Sequence, residues 1–155
     1  MRPDDDAFLT RIGVVSRRLK SEAERRLMEH GVHAGQQFIL GCLWERDGLT
    51  PGEIAGLIEV EAPTVTRAVQ RMTNSGLLRV AADESDGRRV RVWLTRKGRD
   101  LRDSVPQVTR GLQQDALALL SDEEQHSLLD LLDRVDRALS GEATNPKTRA
   151  RGDTA

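Results

Sequence analysis

Thr64, Arg67 and Arg71 are separated by three and four residues, so one face of a helix can present all three together. Pro63, Thr66 and Gln70 lie beside them. A guanidinium fork fits the paired acceptors of a guanine edge, and a Gln amide fits the donor and acceptor of an adenine edge. A second basic group follows in Arg88 and Arg89, just after Asp86 and Gly87, with Arg91 two residues on. An Arg on a narrow hairpin can enter a minor groove, where negative potential favours it. The competing account of both groups is an ordinary solvated, charged surface.

The charge distribution favours the chemical account. The chain has 155 residues and a net charge of −1. Between Ala62 and Arg102, however, ten basic residues face four acidic ones, and the rest of the chain carries the opposite excess. One basic block sits between two acidic arms, so the overall charge says little about partners and the segment says more. Catalysis has no support: no nucleophile, base and acid arrangement can be argued from spacing, and there is no glycine-rich phosphate loop. His30 and His33 are three apart, but Gly31 between them breaks a helix and no Cys lies near, so no metal and no cofactor is expected. The single Cys42 excludes an internal disulfide, fits a reducing cytoplasm, and is expected to be a small buried hydrophobe. No apolar run reaches the length of a membrane span, and no signal region follows Met1.

Two Phe, two Trp and no Tyr leave an aliphatic core, and the composition favours helices. Phe8, Ile12, Val15, Leu19, Ala23 and Leu27 form one stripe of a helix over about 5–30, stopped by Gly31. Gln36 to Glu45 is apolar nearly all round and reads as a buried central helix, in which Phe38 and Trp44 are ordinarily core. Pro51 starts a short helix with Ile54, Ala55 and Ile58 inward, and Pro63 starts another with Val65, Ala68, Val69 and Met72 inward. Two short helices joined by a tight turn make a helix-turn-helix. The amides from Thr50 to Glu53 either hold a phosphate or are simply capped. Leu77–Ala82 and Arg89–Leu94 read as strands around an Asp86–Gly87 hairpin turn, which completes a winged helix. Thr95 caps a helix expected to run to about Leu120 with a kink at Pro106. Ser121 and Glu124 form a capping box before a last helix carrying Leu128, Leu131, Leu132, Val135 and Leu139. The tail 142–155 has no apolar residue larger than Ala and reads as disordered.

These pieces together resemble the MarR family of bacterial transcriptional regulators. The matching residues are Gly48 to Thr50, Glu53 to Ala55, Ala62 to Arg67, Arg71 and Met72, Gly76 to Leu78, Asp86 to Arg88, and Leu94 to Gly98. The lead-in Gly31 to Gln36 and the long end helices extend the resemblance over about residues 5–140. It implies a mainly α protein with a small β-hairpin wing. The winged helix-turn-helix would occupy 34–98, and helices at 5–30 and 100–140 would serve dimerisation. There are two departures. Glu59 stands at a turn position where such motifs often have Gly. The reactive Cys of the peroxide-sensing branch, near the start of the chain, has no counterpart, which argues against thiol-based sensing.

The implied function is that of a cytoplasmic homodimeric repressor that binds a pseudo-palindromic double-stranded DNA operator and loosens when a small-molecule effector binds. Pro63, Thr64, Thr66, Arg67, Gln70, Arg71, Asp86, Arg88 and Arg89 would form the DNA surface, with Asp86 orienting Arg88 through an ion pair. The family's effector pocket, between the dimer helices and the winged domain, would lie near Val15, Arg18, His33, Phe38 and Trp44. The alternatives are a DNA-binding regulator without an effector and a winged-helix protein-interaction module.

Overall fold

Prolines and capping side chains set where several helices begin in the computed structural model, which describes residues 6–141. The expected tail 142–155 lies outside the described residues. Helix α1 spans Ala7–Met28, and its chain reverses at Gly31, where Val32 N–H donates back to the Leu27 carbonyl. Helix α2 is Gln36–Glu45. Helix α3, Pro51–Leu57, opens with a capping box in which the Glu53 amide donates to Thr50 Oγ1 and the Glu53 carboxylate accepts from the Thr50 amide. Helix α4 is Ala62–Asn74, with Pro63 in its first turn where no N–H is needed.

Strands β1 (Leu78–Ala82) and β2 (Val90–Leu94) pair antiparallel, with Leu78 opposite Leu94 and Ala82 opposite Val90. Leu49 forms an isolated bridge to Val92, so the loop between α2 and α3 serves as a short third strand. Val92 and Leu94 point into the core as the alternation predicts; Val90, at the wing end of the strand, is exposed.

The single long helix expected from Thr95 to Leu120 is instead two. Thr95 does cap a helix, accepting from Gly98 N–H, but α5 ends at Asp100 after five residues. Helix α6 then starts at Ser104 and runs to Leu117. Pro106 does not kink a continuous helix; it sits in the first turn of a new one, where its missing donor costs nothing.

The chain divides into two compact units, one up to Gln113 and one from Gln114 onward. The core of the first is aliphatic throughout. It gathers Leu27 of α1, Ile39, Leu40 and Leu43 of α2, Ile54 of α3, Val65, Val69 and Met72 of α4, Leu78, Val92 and Leu94 of the hairpin, and Val105 of α6. Burying each such side chain contributes about 1.5–3 kcal/mol. The central helix is less completely buried than its sequence suggests: Phe38 is 59% exposed, and Cys42 and Trp44 are half-buried. In the second unit α7 (Asp122–Leu139) begins with the expected Ser121–Glu124 capping box, and Gln125 Nε2 donates to the Leu120 carbonyl at 3.1 Å. None of its residues is buried. No helix among the described residues is long and apolar enough to cross a membrane.

Gly48 is fixed in place by geometry. Its φ is +77°, and a Cβ there would lie 2.5 Å from the Trp93 ring. Gly48→Ala is therefore expected to cost about 1–3 kcal/mol from overpacking in addition to about 1–2 kcal/mol for a left-handed non-glycine backbone. The denaturant midpoint of the purified variant measures this, and an unchanged midpoint would refute it.

Candidate nucleic-acid interface

Helix α4 is oriented by its apolar face. Val65, Ala68, Val69 and Met72 are buried, so Pro63, Thr64, Thr66, Arg67, Gln70 and Arg71 are all left exposed. The turn before it closes by a Schellman arrangement, in which Val60 N–H reaches the Ala55 carbonyl at 3.1 Å. That closure needs a left-handed residue, and Glu59 takes φ +54°, the one positive value outside glycine among the described residues. The cost is about 1 kcal/mol relative to Gly.

The exposed residues of α4 differ in freedom. Thr66 Oγ1 donates to its own helix at the Ala62 carbonyl, and Gln70 Nε2 donates to Asn74 Oδ1, each at 3.1 Å. Arg67 and Arg71 have no ion-pair partner among the described residues, and neither have Arg88 and Arg89 on the wing. Other cations of the basic block are engaged: Arg79 lies over the Trp93 ring, Lys97 Nζ donates to the Ser75 carbonyl, and Arg99 to the Leu94 carbonyl. Two pairs of uncompensated guanidinium groups thus stand on α4 and on the hairpin tip.

Asp86 acts differently from the expected ion pair. Its carboxylate accepts from the backbone N–H of Arg88 at 3.1 Å, and its carbonyl from the N–H of Arg89 at 2.9 Å. It shapes the turn that carries the two arginines and leaves their side chains free. The carboxylate that does hold an arginine is Asp83, a residue that spacing did not single out. Asp83 is 6% exposed and accepts from Ser85 N–H, Ser85 Oγ–H and Arg91 Nε. Arg91 in turn donates through a terminal nitrogen to the Gly48 carbonyl at 2.7 Å. The Asp83–Ser85 spacing is a local turn pattern legible in sequence; the bond from Arg91 back to Gly48 is not.

The amides of Thr50 and Glu53 are occupied by their own capping box. The Thr50 N–H holds the Glu53 carboxyl below its ordinary range. Of the residues suggested for an effector, Phe38 and Trp44 line a cavity of about 410 Å³ together with Val105 and Pro106, with Arg102 and Glu45 as charged members. Val15, Arg18 and His33 are not part of it. Val15 and Arg18 are exposed on α1, and His33 Nδ1 bonds Glu24 at 2.6 Å. The half-buried Cys42 thiol is pushed up by desolvation, away from thiolate reactivity. Among the described residues no three or more His, Cys, Asp or Glu side chains come together in a way that could hold a metal ion.

Comparison with known proteins matches residues 33–90 to the MarR family. Over 109 residues the chain is 34% identical to the HTH-type transcriptional regulator TtmR of Methylorubrum extorquens (strain PA1), covering 68% of this chain and 53% of that protein. The chain belongs to the MarR family. It spans about half the length of TtmR. Among solved structures it is similar to the transcriptional regulator SlyA, with a TM-score of 0.76 and 29% identity over 87% of this chain and 95% of the other. It is also similar to the S. aureus MepR–DNA complex, with a TM-score of 0.75 and 25% identity over 85% and 96%. The MarR relatives are regulators rather than enzymes, and the winged helix-turn-helix is their shared fold.

The Ser85 hydroxyl and amide, with the Arg91 guanidinium, hold the Asp83 carboxyl far below the usual carboxylate range. A depressed carboxylate contributes stability that is complete above its unfolded value, about pH 4, and lost as pH falls through the lowered folded value. The Ser85 amide resonance is therefore expected to stay constant from neutral pH down through pH 4 and to move only in stronger acid. A midpoint near 4 would contradict the contacts.

Proposed function

We propose that this chain is a sequence-specific, double-stranded DNA-binding transcriptional regulator, acting in the cytoplasm as a homodimeric repressor on a pseudo-palindromic operator. The observation that carries the proposal is the set of four exposed guanidinium groups without ion-pair partners: Arg67 and Arg71 on the second helix of the motif, Arg88 and Arg89 on the wing. Family membership supports it, as does likeness to a solved MepR–DNA complex. In this reading α4 enters the major groove by its N-terminal half and the wing reaches the adjacent minor groove. A protein-docking module would be expected to expose apolar rather than cationic side chains on the outer face of α4, where Thr64, Arg67, Gln70 and Arg71 stand.

The two end segments, 5–30 and 100–140, serve dimerisation. Phe8, Leu9, Ile12, Val15 and Leu19 are exposed on α1, and Leu129, Leu131, Leu132 and Leu139 on α7. An 18-residue helix with none of its side chains buried lacks the packing that stabilises helices in water, and a second copy supplies it. The cavity beside Phe38 and Trp44 is the effector site of this proposal, its apolar walls suited to a ring or chain and Arg102 to an acidic group. An effector that prefers the weakly binding arrangement by about 1–3 kcal/mol shifts affinity about 5- to 150-fold.

Arg67→Ala, tested on a panel of operator variants, is expected to lose about 1–3 kcal/mol of discrimination at one base pair in each half-site, the two positions related by the dyad. A uniform loss over the panel would make Arg67 a phosphate contact. Arg88→Ala is expected to weaken specific and random DNA alike and to flatten the salt slope.

Sedimentation is expected to report a dimer at micromolar concentration. Replacing Leu128, Leu132 and Val135 by Asp gives monomers or unfolded chains, because buried unpaired charge is costly. A folded wild-type monomer that binds DNA normally would end the dimer reading.

A further inference from the structure

We infer that Arg91 and Asp83 form a positioning clamp for the wing: Arg91 meets no DNA itself but ties the hairpin tip to the loop between α2 and α3, so that Arg88 and Arg89 are presented in one orientation. The inference rests on the proposed role of the wing in DNA binding and names the residues that make that role possible.

The last paired residues of the hairpin are Ala82 and Val90, so the tip from Asp83 to Arg89 extends beyond the sheet. Asp83 holds it at several points. Its amide donates to the Arg89 carbonyl at 2.9 Å, while its carboxylate accepts from Ser85 N–H at 2.8 Å and Ser85 Oγ–H at 2.6 Å. The same carboxylate accepts from Arg91 Nε, and the other end of that guanidinium donates to the Gly48 carbonyl at 2.7 Å. Gly48 and Leu49 exchange backbone hydrogen bonds with Val92, so the carbonyl that anchors Arg91 is itself immobilised. A continuous hydrogen-bonded path runs from the core-bound loop to the tip.

Arg91 is unlike its basic neighbours. Its side chain is 37% exposed, and it is tied to a buried carboxylate. Arg88 and Arg89 are exposed and have no ion-pair partner among the described residues. An Arg that must enter a groove gains from being held in its bound orientation beforehand. Two carbonyl and carboxylate acceptors at a set angle require a planar fork of donors, which Lys cannot supply.

The experiment measures affinity for a duplex selected from a random pool by the wild-type protein, using Asp83→Asn, Arg91→Lys, Arg88→Ala and the double variant Arg88→Ala with Arg91→Lys. All are first checked for a wild-type circular dichroism spectrum and melting transition. Asp83→Asn removes a negative charge from a surface that meets phosphate, so electrostatics alone would tighten binding. The clamp requires weakening, by about tenfold. Arg91→Lys keeps the charge and is expected to weaken binding similarly, and to add less than about twofold when Arg88 is already Ala. Tightened or unchanged affinity in Asp83→Asn, rescue by Lys at 91, or full additivity in the double variant would each overturn the clamp. If Arg88→Ala itself leaves binding intact, the wing reading fails instead, and the two failures are distinguishable.

Discussion

Asp47, Gly48 and Leu49 lie along β2, and the recognition surface depends on this seam. A lone two-stranded hairpin is marginal in water. Here Gly48 N–H donates to the Val92 carbonyl, Val92 N–H to the Leu49 carbonyl, and Leu94 N–H to the Asp47 carboxylate. Trp93 covers Gly48 so closely that no side chain fits there, and Arg79 lies over the Trp93 ring. The loop thereby gives the hairpin the third partner it lacks. It also joins the wing to α2 and α3, whose buried side chains set the pose of α4.

The other end of β2 fastens the recognition helix directly. Thr95 Oγ1 donates to the Gly76 carbonyl at 2.6 Å, and Lys97 Nζ to the Ser75 carbonyl at 3.0 Å, just past the end of α4. Gly98 packs on the Leu77 carbonyl, where a Cβ would come within 2.3 Å. Its own carbonyl accepts the Trp44 indole N–H at 2.9 Å. Trp44 also lines the cavity, so one turn of α5 touches both the wall of the proposed effector site and the C-terminal end of α4.

Periodic and local signals were legible in the sequence, and they located most of the fold. The bounds of α2, the Ser121 cap, the hairpin turn and the inward face of α4 all follow from spacing within a dozen residues. The exposed candidates on α4 follow too, because fixing the buried positions fixes the rest. What was not legible involves partners far apart in the chain. Arg91 finds Gly48 43 residues away, and Leu94 finds Asp47 47 away, without any periodic trace. Phe38 was expected in the core because α2 is apolar on most sides; the first unit covers only the face of Ile39, Leu40 and Leu43. The break between α5 and α6 escaped because Pro106 fits a helix start as well as a kink, and only the structure distinguishes them.

Four guanidinium groups without carboxylate partners among the described residues also burden the protein when nothing is bound. Arg67 and Arg71 are one helical turn apart and Arg88 and Arg89 are adjacent, so each pair repels itself. Dissolved ions relieve that repulsion over a Debye length of about 8 Å at physiological ionic strength. The same ions compete with the arginines for phosphate. Ionic strength therefore acts on this surface in opposite senses, steadying the free fold while loosening its grip on a polyanion. In the proposed DNA-binding role, ionic strength is thus an input that needs no pocket at all.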